Sequence, residues 1–444
     1  MSRLIPKEEM GQGRRAETDR GERLEGLDRP YYATQYHLSH VVNVAMGLKA
    51  PGVISQFKSG AKERGGFAVG WQKLMKHHGV AYGMFTGDEH LSGSSPTQGT
   101  ELCAVVELMY TVETLLTTGV PLDGLGDILE KVAFNALPAQ MSPDTLLHQY
   151  DQQANQVRCS DEPHGWYNNA NNSNLFGLEP NYGCCTANLH QGWPKFAGSL
   201  WYATADEGFA AISYAPYTVK FTSGDTPVRI RVETRYPFGE KVLIHVDAAE
   251  PKSFPMCLRI PQWAEGAALR VNGGEDMEPV PGQFSVVEGE WRRDDVIELT
   301  LPMKPRVTRW SRRSAAVELG PLLMAFHPAE TWEKVREDPN VPDYAVSTDE
   351  KWNWALAEGG TLDAEFTARE EPFGFGEGPV VTAEAVEAKD WGMKGANCGP
   401  TPIGLKAGRG GARRIRLVPY GDTSLRISQF PMATLEDEEK ENEE

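Results

Sequence analysis

Three cysteines and a glutamate stand at helix starts in two short segments, Gly99-Thr100-Glu101-Leu102-Cys103 and Gly183-Cys184-Cys185-Thr186, with Gly87-Asp88-Glu89-His90 just ahead of the first. Three thiolates and one carboxylate are a sufficient ligand set for tetrahedral zinc, and a further carboxylate beside them can move protons. Glu101 and Cys103 fall where the chain has not yet settled into helical direction, so side chains two apart can converge on one ion. A helix N-terminus also favours thiolate over thiol. The bland reading of the same residues is a first-turn acid and a buried small thiol, with Asp88, Glu89 and His90 on a solvated turn. The adjacent pair Cys184-Cys185 is sharper, because it follows a long loop and opens a helix.

The elements that must position these groups follow from periodicity. Apolar residues recur at helical spacing over 40–57, with Pro51 as a kink, and over 61–78, 100–117, 125–137 and 187–202. The connections 80–99 and 138–183 are long, and both candidate segments lie where such a connection meets a helix. Beyond Tyr214 the period switches to two, and 228–233, 242–246, 257–260, 269–271 and 296–301 read as sandwich strands with turns such as Asn272-Gly273-Gly274. The apolar run 315–326 suits a buried strand, 328–378 reads as irregular, and 414–418 and 425–430 read as closing strands. The fold class expected is multidomain α + β. Its parts are a charged arm over 1–35, a helical unit over 36–205, an antiparallel β-sandwich over 206–310, a β-rich region over 311–432 and a disordered acidic tail over 433–444.

Composition narrows the function classes. The chain of 444 residues carries a formal net charge of −18, which argues against nucleic acid and against an anionic membrane surface as partners. No run of about 18 apolar residues occurs. Six cysteines are too few for a disulfide framework in a chain this long, so reduced thiols in a cytoplasmic setting are expected, with Cys159, Cys257 and Cys398 as buried thiols. His37 and His40 near a helix start can hydrogen-bond a polyol or can be satisfied core histidines.

Taken in order, Thr86-Gly87-Asp88-Glu89-His90-Leu91, Gly99-Thr100-Glu101-Leu102-Cys103 and Tyr182-Gly183-Cys184-Cys185-Thr186-Ala187-Asn188 resemble the β-L-arabinofuranosidase group typified by glycoside hydrolase family 127. The resemblance spans roughly residues 30 to 432. It implies zinc held by Glu101, Cys103, Cys184 and Cys185, with Cys184 as nucleophile, Glu89 as acid/base and His40 as a sugar contact; His37 and Tyr182 are further candidate substrate contacts. Glu89 would then begin the reaction protonated, with a raised pKa. It further implies a toroid of six helical hairpins; about five helices are legible here, which makes the toroid partial and leaves an open face suited to a homodimer. The function the resemblance implies is a zinc-dependent retaining glycoside hydrolase whose carbohydrate substrate is a furanoside, a β-L-arabinofuranoside, with a truncated inactive relative as an alternative. The rivals are a carbohydrate-binding or scaffold protein with structural zinc, and a thiol redox protein.

Overall fold

A computed structural model describes residues 39–58, 60–121, 123–166, 169–178, 183–336, 342–367 and 378–437. His37 and Tyr182, the 1–35 arm and most of the acidic tail lie outside the described residues. The helical part begins with Val41–Gly47, capped by His40, whose Nδ1 accepts the Asn43 N–H at 3.3 Å. Pro51 does not kink one helix but opens a second, Ala50–Ser55, since a ring without an N–H is tolerated only in a first turn. Ala61–His78 runs over the expected span. Leu102–Leu115 is buried on nearly every face, which makes it the central helix, packed between Val41–Gly47 and Gly183–Gly198. Leu125–Lys131 continues through a π-turn over Val132–Ala136.

Gly183–Gly198 starts earlier than its apolar period suggests and therefore carries the cysteine pair in its first turn. Gly192 lets it approach its neighbours, because a Cβ there would lie 2.8 Å from Leu137 Cδ2. The residues after Gly198 turn directly into a strand, Trp201–Ala203.

Two sheets form the sandwich. One has the order Ala268–Val271, Asp295–Thr300, Lys241–Ala248, Thr226–Thr234 and Tyr217–Ser223; the other is Phe284–Trp291, Lys252–Arg259, Phe209–Ala211 and Trp201–Ala203. Alternation drives it: Val228, Ile230 and Val232 point into the core while Arg229 and Arg231 face water, and Val232 sits opposite Ile244.

A larger mixed sheet follows. The 315–326 run is a hairpin of Ala315–Leu319 and Leu322–Phe326, turned at Gly320, whose φ is +57°. The stretch expected to be irregular instead holds Thr331–Arg336 and Asp343–Ser347, paired as a separate two-stranded sheet, and then Trp354–Ala357 and Leu362–Glu365 of the larger sheet, while 368–377 lies outside the described residues. Exposed charged residues on Thr331–Arg336 hide the strand period there. Val380–Glu387 is an unread central strand, paired with Arg413–Pro419 on one side and with Trp354–Ala357 and Leu362–Glu365 on the other. Its Ala and Glu residues favour helix intrinsically, and pairing on both edges overrides that preference. The closing strands are Arg426–Ile427, shorter than expected, and Met432–Glu436, which takes in residues 433–436 of the expected disordered tail because they pair with Leu405–Gly408. Amides bind this sheet to the helical part: Gln429 Oε1 accepts the Ala81 N–H at 3.0 Å, and Asn155 Oδ1 accepts from Ser428 and Gln429 at 3.0 and 2.9 Å.

Candidate active site

Backbone pairing brings the first two segments side by side. The Gly87 N–H donates to Gly99 O at 2.9 Å and the Glu101 N–H to Gly87 O at 3.1 Å. Gly87 is pressed against the first helix, where a Cβ would meet Val41 Cβ at 2.6 Å. The carbonyl of Glu89 accepts the Val41 N–H at 2.8 Å, which locks the acid beside His40. His40 uses Nδ1 as an acceptor in its capping role, so the proton of the neutral ring sits on Nε2, which lies 2.9 Å from Glu89 Oε1. Tyr150 donates its hydroxyl to Glu89 Oε2 at 2.6 Å.

This geometry overturns the expectation that Glu89 has a raised pKa. Burial pushes it up, but the hydrogen bonds from His40 and Tyr150, with the charges of His40 and His90, hold it below the usual carboxylate value. Both donors stabilise the ionised form, and no local sequence pattern signals that both would face one carboxylate.

The thiols converge from two helix starts. Glu101 is the extended N-cap of Leu102–Leu115 and Cys103 is its second residue, while Cys184 and Cys185 lie in the first turn of Gly183–Gly198. The four donor atoms of Glu101, Cys103, Cys184 and Cys185 lie within 4.8 Å of one another, and Cys103 Sγ is 3.5 Å from Cys185 Sγ. Cys103 and Cys185 are buried and Cys184 is exposed. The side-chain donor atoms of His40, Glu89 and Glu101 also lie within 4.8 Å of one another, so the acid/base candidate adjoins the thiol cluster through Glu101.

The electrostatics of the cluster call for a cation. Glu101 is 3% exposed, and its carboxyl is raised to about 8 by burial and then by the charges of Glu89 and Cys184. Its Oε2 has no hydrogen-bond partner among the described residues. The Cys184 thiol is lowered to about 3 because Cys103 and Cys185 donate to it; Cys103 is raised chiefly by that same donation, and Cys185 chiefly by burial. Asp151 just behind is raised by burial and by Asp88 and Glu101. Among the described residues no ion pair with Lys or Arg reaches Glu89, Glu101 or Asp151. Buried acids without a Lys or Arg counter-charge among the described residues, with three soft sulfur donors within 4.8 Å of a carboxylate, fit a divalent metal of the zinc type.

Sequence reasoning missed Tyr150 and His148. Both come from the long 138–183 connection, where Asp151–Gln152 pairs with Thr100–Glu101 and so aligns Tyr150 with the carboxylates. His148 Nε2 lies 2.8 Å from Thr186 Oγ1, directly behind the cysteine pair. The Asn-rich loop 168–174 is used internally where it is described. Asn169 bonds Asp88 O and Asp151 Oδ2, Asn174 holds Ser160 and Arg158, and the Trp166 indole N–H donates to Thr97 O at 3.2 Å.

The comparisons with known proteins bear on one segment and on the fold. Residues 210–303 match the GH127 middle domain of the β-L-arabinofuranosidases. Three solved structures share the fold. A GH127 β-L-arabinofuranosidase from Geobacillus stearothermophilus T6 is 17% identical with a TM-score of 0.67, over 96% of this chain and 68% of that one. A second, described as a glycoside hydrolase, is 17% identical with a TM-score of 0.65, over 92% and 68% of the two chains. A GH127 β-arabinofuranosidase is 16% identical with a TM-score of 0.62, over 89% and 61%. The chain thus spans about two thirds of the length of these relatives. No curated protein matches it.

Proposed function

We propose that this protein is a zinc-dependent retaining glycoside hydrolase that cleaves a furanoside, and that its substrate is a β-L-arabinofuranoside. The observation that carries the reading is the exposure of one thiol in three: Cys184 reaches solvent while Cys103 and Cys185 are buried around the same centre. A purely structural metal site would have no reason to turn one ligand outward beside a carboxylate. Glu101, Cys103, Cys184 and Cys185 would hold the metal, which supplies the positive charge that keeps the thiols ionised near neutral pH.

Cys184 attacks the anomeric carbon while the departing oxygen takes its proton from the minority of Glu89 that is protonated, a minority because His40 and Tyr150 hold its pKa low, and a thioether bond to the sugar replaces the glycosidic bond. Glu89, now ionised, takes a proton from water; that water attacks the same carbon, and Cys184 leaves as thiolate with net retention. Tyr150 and His40 hold Glu89 in place and favour the ionised state needed for the second step. The substrate follows from the relatives, two of which are described as arabinofuranosidases.

Hydrolysis of p-nitrophenyl β-L-arabinofuranoside by the wild type and by Cys184→Ser tests this. Turnover with an anomer-retaining first product, lost in the variant while its fold persists by circular dichroism, is the expected result. Equal rates in both proteins would remove Cys184 from the mechanism.

A further inference from the structure

A cavity of about 510 Å³ opens where three units meet, away from the thiol cluster: the Ala61–His78 and Leu125–Lys131 helices, the sandwich loop at Gln262-Trp263, and the Pro305–Arg309 region with Trp310. None of its lining residues belongs to the candidate active site. We propose that it is a second carbohydrate site, one that takes a neutral oligosaccharide.

The lining carries the two features that sugar recognition needs. Trp71, Trp263 and Trp310 supply indole surface for the C–H faces of sugar rings. Trp71 is fixed by stacking on Phe67, with centroids 6.1 Å apart and planes 8° apart, and Trp263 by stacking on Tyr236 at 6.4 Å and 16°. Rings held in this way bind with little loss of side-chain freedom. Between them stand groups that donate and accept hydrogen bonds in planar pairs. Arg306 donates to Glu318 Oε2 through Nε at 2.9 Å and Nη2 at 2.6 Å, yet it is 45% exposed, which leaves N–H groups open to the cavity. Gln262 adds an exposed amide. The Trp263 indole N–H is buried and has no acceptor among the described residues, a donor that a sugar hydroxyl or a water would satisfy.

Charge selects the ligand class. Arg64, Lys131 and Arg306 are matched by Asp123, Asp127 and Glu318, so the cavity has no net charge to attract a uronate or a phosphate. Its size suits a short oligosaccharide. The choice of an arabinose-containing probe rests on the proposed activity; the preference for a neutral sugar rests on the cavity alone.

Isothermal titration of the zinc-loaded chain with arabinotriose, xylotriose and trigalacturonate tests the site, with aryl furanoside hydrolysis measured separately. Saturable millimolar binding of a neutral trisaccharide is expected, weakened about tenfold by Trp310→Ala and by Gln262→Ala, with hydrolysis of the small aryl substrate unchanged. Gln262 is exposed, so that variant keeps its fold. The proposal is overturned if no neutral trisaccharide binds, if trigalacturonate binds equally well, or if both variants bind like wild type. Binding without hydrolysis would sink the proposed activity and leave this site standing; hydrolysis without binding would do the reverse.

Discussion

Glu318 and Glu101 are both carboxylates buried against the helical part, and they meet the problem of a buried charge in opposite ways. Glu318 sits between Lys131 at 3.1 Å and Arg306 at 2.6 Å; burial raises its pKa, and the two cations overcome this and hold it below the usual value. Glu101 has acids and thiols for neighbours and is pushed up to about 8. The first arrangement is complete as the chain supplies it and ties the helical part to the C-terminal sheet. The second is incomplete without a cation, and it lies beside the one exposed thiol. A charge left unbalanced where ligands of the right type converge marks a working site, whereas a balanced one marks a structural joint.

The largest effect that would break this contrast belongs to the thiol. Cys184→Ser should lower kcat by on the order of 10⁴-fold or more, read with the aryl furanoside, with the melting temperature little changed. Glu89→Gln should lower kcat by about 10²- to 10⁴-fold while zinc content, measured by mass spectrometry, stays at the wild-type value. At the joint the outcome should be reversed. Glu318→Gln leaves Lys131 and Arg306 without their counter-charge and should destabilise the fold by about 3 kcal/mol in urea unfolding, with zinc content unaffected. The smallest effect concerns Glu113, a third buried carboxylate on the same helix as Cys103, raised to about 7 by burial against a weak opposing pull from Lys195. Its folded pKa exceeds the unfolded value, so its favourable contribution is full below about pH 4.5 and is lost as pH rises to 7. Glu113→Gln should flatten that decline and gain about 1–2 kcal/mol at pH 8, read from unfolding curves across this window.

The cluster of Glu101, Cys103, Cys184 and Cys185 was legible because each half is local: Glu101 with Cys103 at one helix start, Cys184 with Cys185 at another. What brings Tyr150 to Glu89 is the pairing of Asp151–Gln152 with Thr100–Glu101, a contact between distant segments that no local window reveals. The sign of the Glu89 shift was missed for the same reason, since it depends on His40 capping one helix and facing another loop. In the sandwich, alternation such as Val228-Arg229-Ile230-Arg231-Val232 announced the strands. In the last sheet, Val380–Glu387 is paired on both sides and so needs no strand-like composition, which left it unread.

The central claim is that Glu101 and the three thiols form a metal centre. Elemental analysis of the purified chain, combined with titration of its free thiols, tests it most directly. One zinc per chain, with Cys103, Cys184 and Cys185 unreactive until a chelator removes the metal, is the predicted result; a metal-free protein whose three thiols react at once would contradict it.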